Sequence, residues 1–173
     1  MLTSPLIWIR CLLYLSKYLA ARQRTGRHVC VIFYRSAKKA GWDIIMILGI
    51  GIDIARIDDI KRYIEDEELS KAYITHTFTE GERKEAESRY DKAEYFATRF
   101  AAKEAVFKAL AQNTREKTYD LRITETLDHA DGSPYVNITD ELKDIMDKAG
   151  AASLFISITT EDNYAAAFVI AEK

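Results

Sequence analysis

Asp53, Glu104 and Lys108 are the residues of this chain whose types and spacing could do chemistry together. Asp53 closes the run Ile47-Leu48-Gly49-Ile50-Gly51-Ile52-Asp53, and Glu104 and Lys108 stand one helical turn apart about fifty residues later. Two carboxylates with a lysine beside them are the usual parts of a magnesium and phosphate site, because a hard cation takes oxygen ligands and shares them with phosphate. Each signal is weak alone. An i,i+4 Glu–Lys pair is most often a solvated ion pair worth about 0.3–0.5 kcal/mol. The run also lacks the Gly-x-Gly-x-x-Gly of a dinucleotide turn, and the chain has no P-loop.

The elements that must position these residues are legible by period. Residues 47–57 read as a strand, with Leu48, Ile50, Ile52 and Ile54 on one face and Gly49, Gly51 and Asp53 on the other. The aliphatic face is expected to be core. The glycine face is expected to be one that something else can approach closely, because glycine in a strand gives up packing unless that space is used. Residues 91–111 form the longest helical pattern, with an apolar stripe at Phe96, Phe100, Phe107 and Leu110 and alanines at 97, 101, 102, 105 and 109. Asp58 or Asp59 could cap a helix to about residue 68, and Thr79 with Glu82 resembles a capping box opening a charged helix to residue 88. Residues 73–78 are mixed. A strand is expected over 120–127, a turn at 131–134, a short strand at 135–137, and a helix from 139 closed by Gly150. Residues 153–160 and 164–171 read as a closing hairpin.

Composition sets bounds on the rest. The chain has 173 residues and two cysteines, both in residues 1–45. That segment holds eight of the 25 Lys/Arg but one of the 27 Asp/Glu, leaving 17 basic and 26 acidic groups beyond it. Residues 6–21 are apolar, yet Arg10 and Lys17 make them too short and too charged for a membrane span. An arginine-rich, acid-poor leader is similar to a transit peptide. The favoured reading is that Met46 is the initiator, since the well-patterned strand starts there. Residues 1–45 are then a non-domain extension, and 46–173 a single α+β domain. A cytoplasmic protein is expected, with no nucleic-acid or membrane partner. No Cys-His or Ser-His-Asp arrangement is available: His28 lies in the leader, and His76 and His129 have no partner at metal-ligand spacing.

The order of motifs is then recognisable. The stretches are Gly49-Ile50-Gly51-Ile52-Asp53-Ile54, Phe78-Thr79 with Glu82, and Arg99-Phe100-Ala101-Ala102-Lys103-Glu104-Ala105 with Lys108. Gly132-Ser133-Pro134, Ile156-Ser157-Ile158-Thr159 and Tyr164-Ala165-Ala166-Ala167 follow. In these residues 46–173 resemble the holo-(acyl-carrier-protein) synthases, the small bacterial class of 4′-phosphopantetheinyl transferases. The resemblance implies a small domain with an antiparallel sheet and one long helix, assembled as a homotrimer whose sites are shared between subunits. It implies transfer of the 4′-phosphopantetheine arm of coenzyme A to a serine of apo acyl carrier protein, by default for fatty acid synthesis. Asp53 and Glu104 would hold Mg²⁺, with Glu104 and Lys108 catalytic. Arg99, Lys103 and Lys108 would meet coenzyme A phosphates. The base for the serine proton is open between Glu104 and a water held by the ion.

The chain departs from the family pattern in three places. Ala111-Gln112-Asn113 stands where a Gly-Thr-Gly turn is usual, Asp59 where a carrier-facing base is expected, and Thr160 where a histidine is common. Arg56, Lys61 and Arg62 could replace the base at 59 in carrier docking. The rival expectation, resting on the lost glycines, is a catalytically weak relative that binds carrier or coenzyme A without turnover. A purely structural protein, with Glu104–Lys108 a simple ion pair, is the third.

Overall fold

The computed structural model describes residues 46–66, 70–114 and 119–173. The expectations for residues 1–45, including the boundary at Met46, lie outside them. Strand β1 (Ile47–Arg56) pairs antiparallel with β5 (Tyr164–Glu172), which pairs antiparallel with β4 (Ser153–Glu161), giving the order β1-β5-β4. A second antiparallel pair joins β2 (Glu125–Asp128) to β3 (Pro134–Asn137). The helices are α1 (Ile57–Glu65), α2 (Ser70–Thr77), α3 (Glu80–Ala86), α4 (Lys92–Ala111) and α5 (Asp140–Ala149). The α+β expectation with antiparallel sheets and one long helix holds.

The 20-residue α4 packs on the three-stranded sheet and makes the core. Asp91 starts it by accepting from the Glu94 N–H at 2.9 Å, satisfying one of the donors a helix leaves open at its first turn. Of the expected apolar stripe, Phe96 and Leu110 are buried, and the alanines are hidden as deeply. Ala97, Ala101, Ala102, Ala105 and Ala109 are fully buried, whereas Phe100 and Phe107 are only half-buried. Small side chains let the helix backbone sit directly on the sheet, where Ala165, Ala167, Val169 and Ala171 of β5 are equally buried and mostly small.

The same contact inverts the expected faces of β1. Gly49 and Gly51 are buried under α4: a Cβ on Gly51 would overlap the Ala105 carbonyl, and one on Gly49 the Ala109 carbonyl. Ile50, Ile52 and Ile54 lie on the outer face, the last two about 60 % exposed at 58 % and 62 %. Leu48 alone of the aliphatic set packs against the core, at a register shift between Ile47 and Gly49 that works as a bulge. Close approach of the helix needs a strand surface without side chains, and only the glycine side offers it.

Local start signals fared unevenly. The capping box is present: Thr79 Oγ1 accepts from the Glu82 N–H at 3.2 Å, and Glu82 accepts from the Thr79 N–H at 2.9 Å. Gly150, at φ 77°, closes α5 as expected. Helix α1 is not capped by Asp58 or Asp59. Its first N–H groups, of Ile57 and Asp58, donate to the backbone carbonyl and Oδ1 of Asn163 in the β4–β5 turn, each at 2.9 Å. A residue 105 positions away does the work expected of a neighbour. Residues 70–77 are helical throughout, and the strand expected over 120–127 begins as a 3₁₀ turn at Leu121–Ile123.

Candidate active site

Asp53 follows Gly49 and Gly51 on the face of β1 that α4 covers, so its carboxylate points at the helix rather than at open solvent. Lys108 Nζ meets Asp53 Oδ1 at 2.6 Å and also donates to the Ile52 carbonyl at 3.2 Å. Glu104, one turn earlier on α4, is half-buried and forms no hydrogen bond or ion pair with a described residue. Its carboxyl is held above the ordinary glutamate range, first by burial and then by the negative charge of Asp53, while Lys108 pulls the other way. The three residues singled out in the sequence therefore converge where β1 meets α4. Two carboxylates in mutual repulsion, one without a donor, suit a hard divalent cation. Asp53 and Glu104 are the residues that would hold it.

The other expected phosphate contacts are placed differently. Lys103 is fully buried, with its Nζ 2.8 Å from Glu82 and donating to the carbonyls of Leu121, at 3.0 Å, and Thr124. Burial pushes its ammonium below the ordinary lysine range, and the Glu82 charge opposes that shift. All three protons are engaged inside the domain, so Lys103 ties α4 to α3 and is not positioned to bind phosphate. Glu82 also accepts from the Thr126 N–H at 2.9 Å, which joins β2 to the same knot.

Arg99 is buried too, but it borders a cleft of about 440 Å³ with Arg89, Tyr90, Glu94, Asp128 and Thr160. Its guanidinium lies 2.7 Å from Asp128 and 4.3 Å from the centre of the Tyr95 ring. Arg89 shares Asp128 at 2.6 Å, and Glu85 lies 3.1 Å from Arg89 and accepts from the Tyr95 hydroxyl at 2.7 Å. The buried Nε groups of both arginines find no acceptor among the described residues. Burial pushes the Tyr95 hydroxyl well above the ordinary tyrosine range. Arg89, Glu85 and Tyr95 escaped sequence reasoning, although Glu85–Arg89 and Tyr95–Arg99 are i,i+4 pairs. The acid that joins them, Asp128, comes from the other sheet, and no local pattern announces it.

The proposed carrier-facing bases are exposed on and before α1, and two of them are paired with acids. Lys61 pairs with Glu65 at 3.9 Å and Arg62 with Asp59. The surface there is of mixed sign. His76 is exposed, and His129 stacks on Tyr135 with ring centres 4.2 Å apart. Among the described residues no group of three or more His, Cys, Asp or Glu could by itself hold a metal. No helix among them is long and apolar enough to cross a membrane.

The chain belongs to the 4′-phosphopantetheinyl transferase superfamily, whose family model matches residues 49–169. It is 38 % identical over 125 residues to the holo-[acyl-carrier-protein] synthase of Thermodesulfovibrio yellowstonii, covering 72 % of this chain and 98 % of that protein. The synthase of Methylobacterium radiotolerans is 36 % identical over 132 residues, with 73 % and 94 % covered. Among solved structures, that of Neisseria meningitidis holo-[acyl-carrier-protein] synthase aligns with a TM-score of 0.65 at 30 % identity, over 74 % of this chain and all of that one. The Bacillus anthracis synthase, solved in complex with coenzyme A (3′,5′-ADP), aligns with a TM-score of 0.57 at 27 % identity, over 73 % and 97 %.

Proposed function

We propose that this chain transfers the 4′-phosphopantetheine arm of coenzyme A to a serine of apo acyl carrier protein, with Asp53 and Glu104 as magnesium ligands. The observation that carries it is the meeting of Asp53, Glu104 and Lys108 at one seam in a chain of this family. In the reaction the serine oxygen bonds to the phosphorus that carries pantetheine. The bond from that phosphorus to the bridging oxygen breaks, adenosine 3′,5′-bisphosphate leaves with the electron pair, and the serine proton passes to a base. A bound magnesium ion would neutralise charge on the diphosphate. Lys108 is half-exposed and can swing from Asp53 to a phosphate oxygen as a point charge. The cleft bordered by Arg89 and Arg99 suits an anionic part of the nucleotide.

A homotrimer in the cytoplasm, acting in fatty acid synthesis, completes the proposal. Support for association is the outer sheet face, where Ile50, Ile52, Ile54, Phe155 and Phe168 stand exposed, with Ser157 beside them. Contiguous apolar surface of this kind marks an interaction site. Carrier docking would use Arg56, Lys61 and Arg62, each of the last two drawn from its acidic neighbour by the carrier's own charge.

Incubation of apo acyl carrier protein with the protein, coenzyme A and magnesium, followed by mass spectrometry, tests the reaction. A mass gain of one phosphopantetheine arm is expected. Carrier binding without a gain would instead favour the weak relative.

A further inference from the structure

β5 pairs with one side of β1, and among the described residues the other side carries no strand. Side chains from the end of α4 and the turn after it occupy carbonyls along that open edge. Lys108 Nζ donates to Ile52 O at 3.2 Å, Gln112 Nε2 to Ile50 O at 2.8 Å, and Asn113 Nδ2 to Leu48 O at 2.7 Å. The donors advance along α4 as the acceptors recede along β1. From Lys108 to Gln112 the steps match, since four helical residues rise about 6 Å and two strand residues about 6.8 Å. Asn113 comes within reach because the helix ends in a tight turn, its N–H bonding the Leu110 carbonyl at 3.1 Å.

At the seam between β1 and α4 the contacting surfaces do little to hold this register. Gly49 and Gly51 face Ala105 and Ala109, a smooth junction with no large side chain lodged in a hole. Glycine-rich strands are the ones whose register is weakly specified. β5 sets β1 within the sheet and meets α4 through the mostly small side chains of Ala165, Ala167, Val169 and Ala171, which leave the helix with few large knobs to fix its placement. Yet the distance from Asp53, on the strand, to Glu104, on the helix, depends on that placement. Lys108 is a poor fastener, since its proposed phosphate role takes its Nζ away from Ile52 O and Asp53.

We infer that Gln112 and Asn113 are positioning residues for the metal pair: bound to the carbonyls of Ile50 and Leu48, they hold β1 in register with α4 and keep Asp53 opposed to Glu104. The inference rests on the reading of Asp53 and Glu104 as magnesium ligands. The same bonds also occupy three carbonyls on the edge of β1, which makes that edge a poorer template for strand pairing than the outer apolar face is for subunit association.

The test is titration of Mg²⁺ by calorimetry, and of Mn²⁺ by electron paramagnetic resonance, into the protein without coenzyme A. Gln112→Met with Asn113→Leu should weaken metal binding roughly 10-fold, as loss of a supporting contact does, with the far-ultraviolet dichroism unchanged. In transfer assays the magnesium needed for half-maximal rate should rise by the same factor, while kcat at saturating magnesium changes little. Gln112→Lys, which keeps a donor of sufficient reach, should restore binding. Unchanged metal affinity in the folded double variant overturns the inference alone. Absence of metal binding by the unsubstituted protein overturns it together with the metal reading. If the double variant does not fold, Gln112→Met by itself decides through the same titrations.

Discussion

Asp53 and Lys108, 55 residues apart in the chain, meet at 2.6 Å across the seam between β1 and α4. The lysine supplies the positive charge that the aspartate lacks while no cation is bound, and its 46 % exposure leaves it free to turn outward. Glu104 has no such donor, and the consequences of that asymmetry can be measured.

Because the Glu104 carboxyl is raised in the folded state, the folded protein holds its proton more tightly than the unfolded chain does. Stability of the metal-free protein should therefore fall as pH rises from the unfolded glutamate value through the raised one. Glu104→Gln should melt at a higher temperature than the parent at neutral pH in the presence of a chelator. Below the unfolded value the difference should vanish. A neutral-pH melting temperature equal to or below the parent's would contradict this.

Asp53→Ala and Glu104→Ala should each abolish transfer, and far-ultraviolet dichroism should show the fold intact. Near-normal transfer by either variant at ordinary magnesium concentration would remove that residue from the metal site.

Lys103→Ala should cost about 3–5 kcal/mol in urea denaturation, because it leaves the Glu82 carboxylate buried without its partner. Lys108→Ala should cost no more than about 1 kcal/mol, since its pair is partly exposed, while use of coenzyme A collapses. Equal stability costs for the two lysines would show that the buried knot and the seam are wrongly told apart.

Ile52→Lys, on the outer face of β1, should convert the proposed trimer to a smaller species in sedimentation without loss of secondary structure. A stable, active monomer of the parent protein at micromolar concentration would refute the trimer. Carrier binding should weaken as salt rises, and salt-insensitive binding would clear Arg56, Lys61 and Arg62 of the docking role.

A chain beginning at Met46 should be soluble and active, on the strength of the charge asymmetry at residue 45 and a family match confined to residues 49–169. Failure of that chain to fold, or a native N-terminus upstream of Met46, would show that the leader belongs to the working protein.

What the sequence by itself determined is what local geometry dictates. A 3.6-residue turn puts Glu104 and Lys108 on one side of a helix, and a period of two puts Asp53 with Gly49 and Gly51. The capping box at Thr79 and the closing glycine at 150 are likewise matters of neighbours. Which face of β1 lies inside was decided only by tertiary structure. Both faces can be buried, and the outcome depends on a row of alanines fifty residues away that admits a helix only against glycine. The same holds for Arg99 and Lys103. Their spacing says they share a helix with Glu104, but whether a cation binds substrate or an internal acid depends on Asp128 and Glu82, brought in by other elements. Asn163 capping α1 and Gln112 and Asn113 holding an open strand edge are contacts between parts distant in sequence. Backbone groups left unpaired by local structure must find partners wherever the fold supplies them, and no window of sequence contains that choice.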